Sequence, residues 1–203
     1  MSNTPIDINF DKEDREKTQQ FKQVCQKYEN AIMQMVKSNG GFRFKLNSLE
    51  LIYLRSLLEF FLKFPNLQEK SSFCYDSTKD MIENVDTLLR NAGYSHLQIA
   101  TLEKPKDQEN LRPVINKVAK DFQIYEFTVN PVEFGFLQGA IIMNLREGTE
   151  AKWSEEIMKY LKILLNKCND KLRKLNFSEE EIYLMNNQLV GEDFDSENPN
   201  IPS

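Results

Sequence analysis

Phe42-Arg-Phe-Lys-Leu-Asn-Ser-Leu-Glu-Leu-Ile-Tyr-Leu54 decides the reading of the fold, because a near copy stands at residues 125–137 as Tyr125-Glu-Phe-Thr-Val-Asn-Pro-Val-Glu-Phe-Gly-Phe-Leu137. Phe44/Phe127, Asn47/Asn130, Glu50/Glu133 and Leu54/Leu137 are identical, and most other positions keep their class. In each copy an apolar residue alternates with a polar one, as in a short extended segment with one buried face. Asn follows, and Glu stands three residues after it. That spacing predicts a capping box, in which the Asn side chain accepts from the N3 amide and the Glu carboxylate accepts from the N-cap amide. Pro131 suits the first helical position, where the missing amide has no helical partner to lose. Asn47, Glu50, Asn130 and Glu133 are therefore expected as structural N-caps. A paired-carboxylate active site is the competing reading of the two glutamates.

Working outward, the pattern is helical on both sides of each copy. Phe21, Val24, Cys25, Tyr28, Ala31, Ile32 and Met35 recur at helical spacing over residues 11–38, and Asn39-Gly40-Gly41 stops that helix. Residues 48–64 read as a strongly apolar helix ending at Pro65, and Met81, Val85, Leu88 and Leu89 place another over 76–91. Further helices are expected over 108–122, over 131–147 with a break at Gly148-Thr149, over 150–175, and from Ser178 to about Gly191. The fold class that follows is mainly α: a helical bundle of two related units, 11–93 and 106–190, sharing one core. Each carries a Phe-x-Phe segment, and the two segments can pair as a small two-stranded ribbon. Residues 1–10 read as a flexible leader, 94–105 as a linker, and 191–203 as an acidic, disordered tail.

Composition narrows the chemistry. The 203 residues carry a net charge of −5, with 40% hydrophobic and 28% charged residues, which suits a globular chain. Glu192, Asp193, Asp195 and Glu197 account for most of that charge, so the remaining body is nearly neutral and gives no general reason to bind nucleic acid. The apolar stretch 134–143 is half the length of a membrane span, and no secretory signal pattern opens the chain. Cys25, Cys74 and Cys168 are widely spaced, with no Cys-x-x-Cys, which points to reduced thiols and a cytoplasmic location. His96 is the only histidine, and Cys74 is the one cysteine close to it in sequence. Zinc and di-iron sites cannot be drawn, no phosphate-binding or hydrolase motif is present, and no catalytic residue or cofactor is assigned.

Two charge features remain. Asp76, Asp80, Glu83 and Asp86 stud one helix and read as a solvated face, with a divalent cation as the alternative. Residues 151–175 hold seven basic and three acidic residues, the cations gathering late as Lys167, Lys171, Arg173 and Lys174. That order complements the helix dipole, and these four are also the candidate contacts to an acidic partner. The function expected is a non-enzymatic protein-interaction or assembly component. Its protein partner or second copy would be met by surplus apolar surface on helices 48–64 and 132–147. The alternatives are a nucleic-acid-associated factor using the basic half of helix 150–175 and a small-ligand binder with an aromatic pocket between the units.

Overall fold

The two alternating segments form six-residue strands, β1 (Phe42–Asn47) and β2 (Ile124–Val129), in a computed structural model that describes residues 8–63, 67–101 and 123–188. They pair antiparallel, Phe42 opposite Val129, Phe44 opposite Phe127 and Leu46 opposite Tyr125. Phe44 and Phe127, which align in the two similar segments, face each other across the ribbon. One face buries Phe42, Phe44, Leu46, Phe127 and Val129, while Arg43, Lys45, Glu126 and Thr128 face water. The Arg43–Glu126 pair on that wet face, 3.6 Å apart, is screened and adds little.

Each strand ends in a capped helix. Asn47 Oδ1 accepts from the Glu50 amide and the Glu50 carboxylate accepts from the Asn47 amide, both at 2.9 Å, and α2 (Ser48–Leu62) begins. Asn130 Oδ1 accepts from the amides of Val132 and Glu133 at 2.9 Å. The Glu133 carboxylate returns a 2.7 Å bond to the Asn130 amide, and Pro131 opens the helix behind this cap. The remaining helices are α1 (Ile8–Lys37), α3 (Leu67–Lys70), α4 (Ser72–Asn91), α5 (His96–Thr101), α6 (Pro131–Glu150), α7 (Glu155–Lys174) and α8 (Glu179–Gln188). The chain is mainly helical with one small antiparallel sheet. Among the described residues no helix is long and apolar enough to cross a membrane.

α2 lies at the centre, packed on α4, α6 and α7, with Leu51, Leu54, Leu57, Leu58 and Phe61 buried. Phe134 of α6 closes the ribbon's inner face, stacking on Phe42 with ring centroids 3.9 Å apart. Arg55, 2% exposed in the apolar run of α2, donates through Nε to Asp86 of α4 at 2.5 Å and lies 3.6 Å from Glu59. The acidic face expected on α4 is thus divided: Asp76, Asp80 and Glu83 are exposed, whereas Asp86 turns inward to a buried guanidinium. A buried charge without such a partner would be strongly destabilising.

Four helices end the same way. Asn39, Gly93, Lys152 and Asn176 take positive φ of 50°, 82°, 54° and 63°. The next residue's amide reaches back to Met35, Leu89, Gly148 and Leu172 respectively, as in a Schellman cap. At three of these ends that next residue is aromatic (Tyr94, Trp153 or Phe177) and packs on the core.

Several expected boundaries move. Residues 94–105 are not a plain linker, because Tyr94 and Ile99 are buried and α5 occupies 96–101. The leader is shorter than expected, with α1 already begun at Ile8. Gly148 does not break α6, which continues to Glu150, and the late helix starts only at Glu155 behind the Ser154 cap. The helix expected over 108–122 and the acidic stretch 191–203 lie outside the described residues.

Replacing Asn47 or Asn130 by Ala removes one cap each and is expected to cost about 1 kcal/mol. Glu50→Gln should cost more than Glu133→Gln, because Glu50 is 6% exposed and also pairs with Lys167 at 2.9 Å. Urea unfolding of the four variants measures both comparisons, and equal losses for the two Glu variants would contradict the second.

Candidate functional site

The four cations of the α7 C-terminal half are placed first, since they were the expected partner contacts. Lys167 Nζ donates to the Lys45 carbonyl at 2.6 Å and to the Glu50 carboxylate. Lys171 lies over the Phe44 ring at 5.2 Å, and burial, then the neighbouring Lys174, lowers its pKa. Arg173 donates to Glu179 at 2.6 Å and to Asp170 at 2.7 Å, hydrogen bonds that raise its pKa and hold the Glu179 carboxyl below its usual range. Three of the four therefore brace the fold, and Lys174 is exposed beside them.

A different set of cations faces water. Between the end of α6 and the first three turns of α7 runs an open groove of about 680 Å³. Lys152, Lys159 and Lys162 edge it, Trp153, Met158 and Ile163 form its apolar floor, and Glu155 is the one carboxylate in its lining. Spacing explains the arrangement. Residues 155, 159, 162 and 166 recur at four, three and four, one stripe of α7, and residues 158 and 163 stand beside them.

Gly148 sets the depth at the closed end. A Cβ there would stand 2.7 Å from Met158 Sδ and 2.9 Å from Trp153 Cε3. Trp153 in turn is held edge-on by Phe60 of α2, centroids 5.4 Å apart and planes at 88°. Sequence reasoning missed this site because it sought charge density, which peaks late in α7. The four-three-four spacing would have found it.

One turn beyond Asn166, at Asn169, the seam between α6 and α7 is bridged by α8. Gln138 of α6 donates to Asn186 of α8 at 3.1 Å, and Asn186 donates to Asn169 of α7 at 3.2 Å. The start of α8 is fixed by Lys27 of α1, which donates to the Asn176 carbonyl and the Glu181 carboxylate at 2.8 Å and lies 4.6 Å from the Phe177 centroid.

Other candidates resolve differently. Cys74 and Cys168 are buried and Cys25 half-buried, and burial raises all three thiol pKa values, the opposite of an activated nucleophile. Cys74 lies inside α4, while His96 is the first residue of α5. Among the described residues no group of three His, Cys, Asp or Glu could hold a metal ion. Aromatic rings otherwise pack on one another: Phe44 meets Phe127 in the core, and half-buried Tyr53 of α2 stacks on Tyr160 of α7 at 4.3 Å. On helix 48–64 no large apolar side chain among the described residues is exposed. On α6, Val132 stays 36% exposed and half-buried Phe136 takes the edge of Phe73. No known protein family, curated protein or solved structure matches the chain.

Gly148→Ala sets two effects against each other. Better helix propensity returns about 1 kcal/mol, and overpacking against a held indole costs about 1–3 kcal/mol. Net destabilisation is expected, with a change in Trp153 emission, and a variant more stable than the native chain would contradict the packing.

The Lys27–Glu181 contact gives a pH dependence. Burial alone would raise the Glu181 pKa, but bonds from Lys27 and from Ser178 outweigh it, and the net shift is downward. A lowered folded pKa adds stability that is present above the ordinary carboxylate range and is lost as pH falls through the folded value. Lys27→Ala should lower Tm at pH 7 by about 2–4 °C, corresponding to about 1 kcal/mol for a pair that water screens. It should also flatten the fall in Tm between about pH 5 and pH 3.

Proposed function

We propose that this protein is a non-enzymatic protein-interaction component whose α6–α7 groove receives an acidic, aromatic-bearing segment of a partner protein. The observation that carries the reading is Lys152. Among the four positive-φ helix ends, Asn or Gly stands at three, as sterics favour, and Lys stands at the fourth, on the rim of the groove. A costly backbone position is retained where it sets a cation opposite Lys159 and Lys162 and turns Trp153 onto the floor.

Apolar floor and basic rim together suit a segment with carboxylates flanking a ring. A nucleic-acid strand would be better served by a broad cationic face, and on α7 the late cations Lys167, Lys171 and Arg173 are drawn into internal contacts. Burial raises all three thiol pKa values, so none of the cysteines is an activated nucleophile. Assembly through exposed Phe73 and its half-buried neighbour Phe136 is compatible with the same role.

Trp153 is the only tryptophan in the chain, so its emission reports on the groove. The native protein is titrated at low salt with a ten-residue peptide of Asp and Glu around one central Phe. A saturable change is expected, weakening about tenfold or more in Lys159→Glu/Lys162→Glu and weakening with salt. Lys152→Gly should weaken the peptide while raising stability by up to about 1 kcal/mol, because glycine accepts the left-handed conformation. Absence of any saturable change up to millimolar peptide, in the native chain and in a chain whose 192–197 carboxylates are neutralised, overturns the reading. A single-stranded oligonucleotide of equal charge that binds more tightly than the peptide, with the same lysine dependence, replaces it by the nucleic-acid alternative.

A further inference from the structure

Where the chain goes after α8 bears on the same groove, and the inference rests on the reading of that groove as an acidic-segment site. α8 begins beside the α7 C-terminus, where Arg173 meets Glu179, and runs back along α7 until Asn186 reaches Asn169. Asn186 also meets Gln138, so the last turn of α8 sits over the α6–α7 seam and is directed towards its groove. Residues 169, 166, 162 and 159 lie at steps of three, four and three on α7, which puts the α8 anchor and the groove lysines on one stripe. Asn166 lines the near end of the groove, one turn from Asn169.

The chain that leaves this point reads Gly191-Glu-Asp-Phe-Asp-Ser-Glu197. We propose that residues 192–197 of this chain dock in the α6–α7 groove, with Phe194 on the Trp153–Met158–Ile163 floor and the carboxylates of Glu192, Asp193, Asp195 and Glu197 against Lys152, Lys159 and Lys162. The segment thereby competes with an acidic partner for the same site.

Reach and charge both allow it. From Asn169 to Lys159 is ten residues of α7, about 15 Å. From Asn186 to Gln188 the helix adds about 3 Å, and the four residues on to Glu192 span up to about 14 Å when extended, so the first carboxylate reaches Lys159. The lining carries three lysines and one glutamate, and that positive excess attracts a segment bearing four carboxylates. An intramolecular occupant acts at an effective concentration in the millimolar range for a short flexible connection, enough to hold off a weak competitor.

The test compares full-length native protein with two full-length variants, Phe194→Ala and the neutralised Glu192→Gln/Asp193→Asn/Asp195→Asn/Glu197→Gln, each titrated with the same acidic Phe-containing peptide. Docking predicts that acrylamide quenches Trp153 about twofold or more faster in both variants, and that the peptide binds the neutralised variant about tenfold more tightly than the native chain. Equal peptide affinity for all three proteins overturns the docking and leaves the groove reading standing. No binding to any of them overturns the groove reading itself. Trp153 protection that rises with protein concentration between about 1 and 100 µM overturns the intramolecular form, since the occupant would then be the segment of a second copy.

Discussion

A two-stranded ribbon is marginal in water by itself, because each strand leaves half its backbone groups without a partner and one face without cover. β1 and β2 hold only because helices from both halves of the chain satisfy them. Asn84 of α4 donates to the Thr128 carbonyl at 3.1 Å, and Lys167 of α7 donates to the Lys45 carbonyl. Phe134 of α6 covers the apolar face, and Lys171 lies over Phe44. The ribbon joins residues far apart in sequence, so it decides which helices can meet: α2 and α6 leave it from opposite strands and pack together. Unpairing it would release both capped helices from a common origin.

Glu50 shows how closely this origin is wired. Its carboxylate accepts from the Asn47 amide to start α2 and pairs with Lys167, whose ammonium also holds the β1 carbonyl. One carboxylate thus connects the beginning of the central helix, the edge of the ribbon and the middle of α7. Glu133 performs the capping half of that role from a more open position. The same sequence signature therefore serves two different environments, and the difference comes from what the rest of the chain brings alongside.

The caps, the ribbon segments and the order of helices were legible in the sequence because each depends on near neighbours: an Asn three residues before a Glu, alternation over five residues, an apolar residue every three or four. What escaped was decided by contacts that no local pattern marks. Nothing local marks Asp86 as the partner of Arg55 rather than a solvated acid. Lys167 and Arg173 looked available as cations, yet their partners lie at Lys45, Glu50 and Glu179 in the folded chain. Gly148 read as a helix breaker because its sequence does not show Trp153 and Met158 filling the space that a Cβ would take. Tyr94 looked like linker for the same reason, its burial arising from a turn that folds it back onto α4.

The helix ends connect fold and site. In a Schellman cap the residue after the left-handed position is turned back over the helix it terminates, and its side chain covers that helix's last turn. At Gly93 and Asn176 this sends Tyr94 and Phe177 into the core, where their burial repays the local ordering. At Lys152 the same geometry delivers Trp153 to a half-buried position, one side against Phe60 and Gly148 and the other along the groove. A residue that permits the turn more readily would leave the indole where it is and remove the cation beside it. Lysine at that position costs backbone energy that glycine would not, and it places a cation in the groove lining, which is why the proposed reading of the groove begins there.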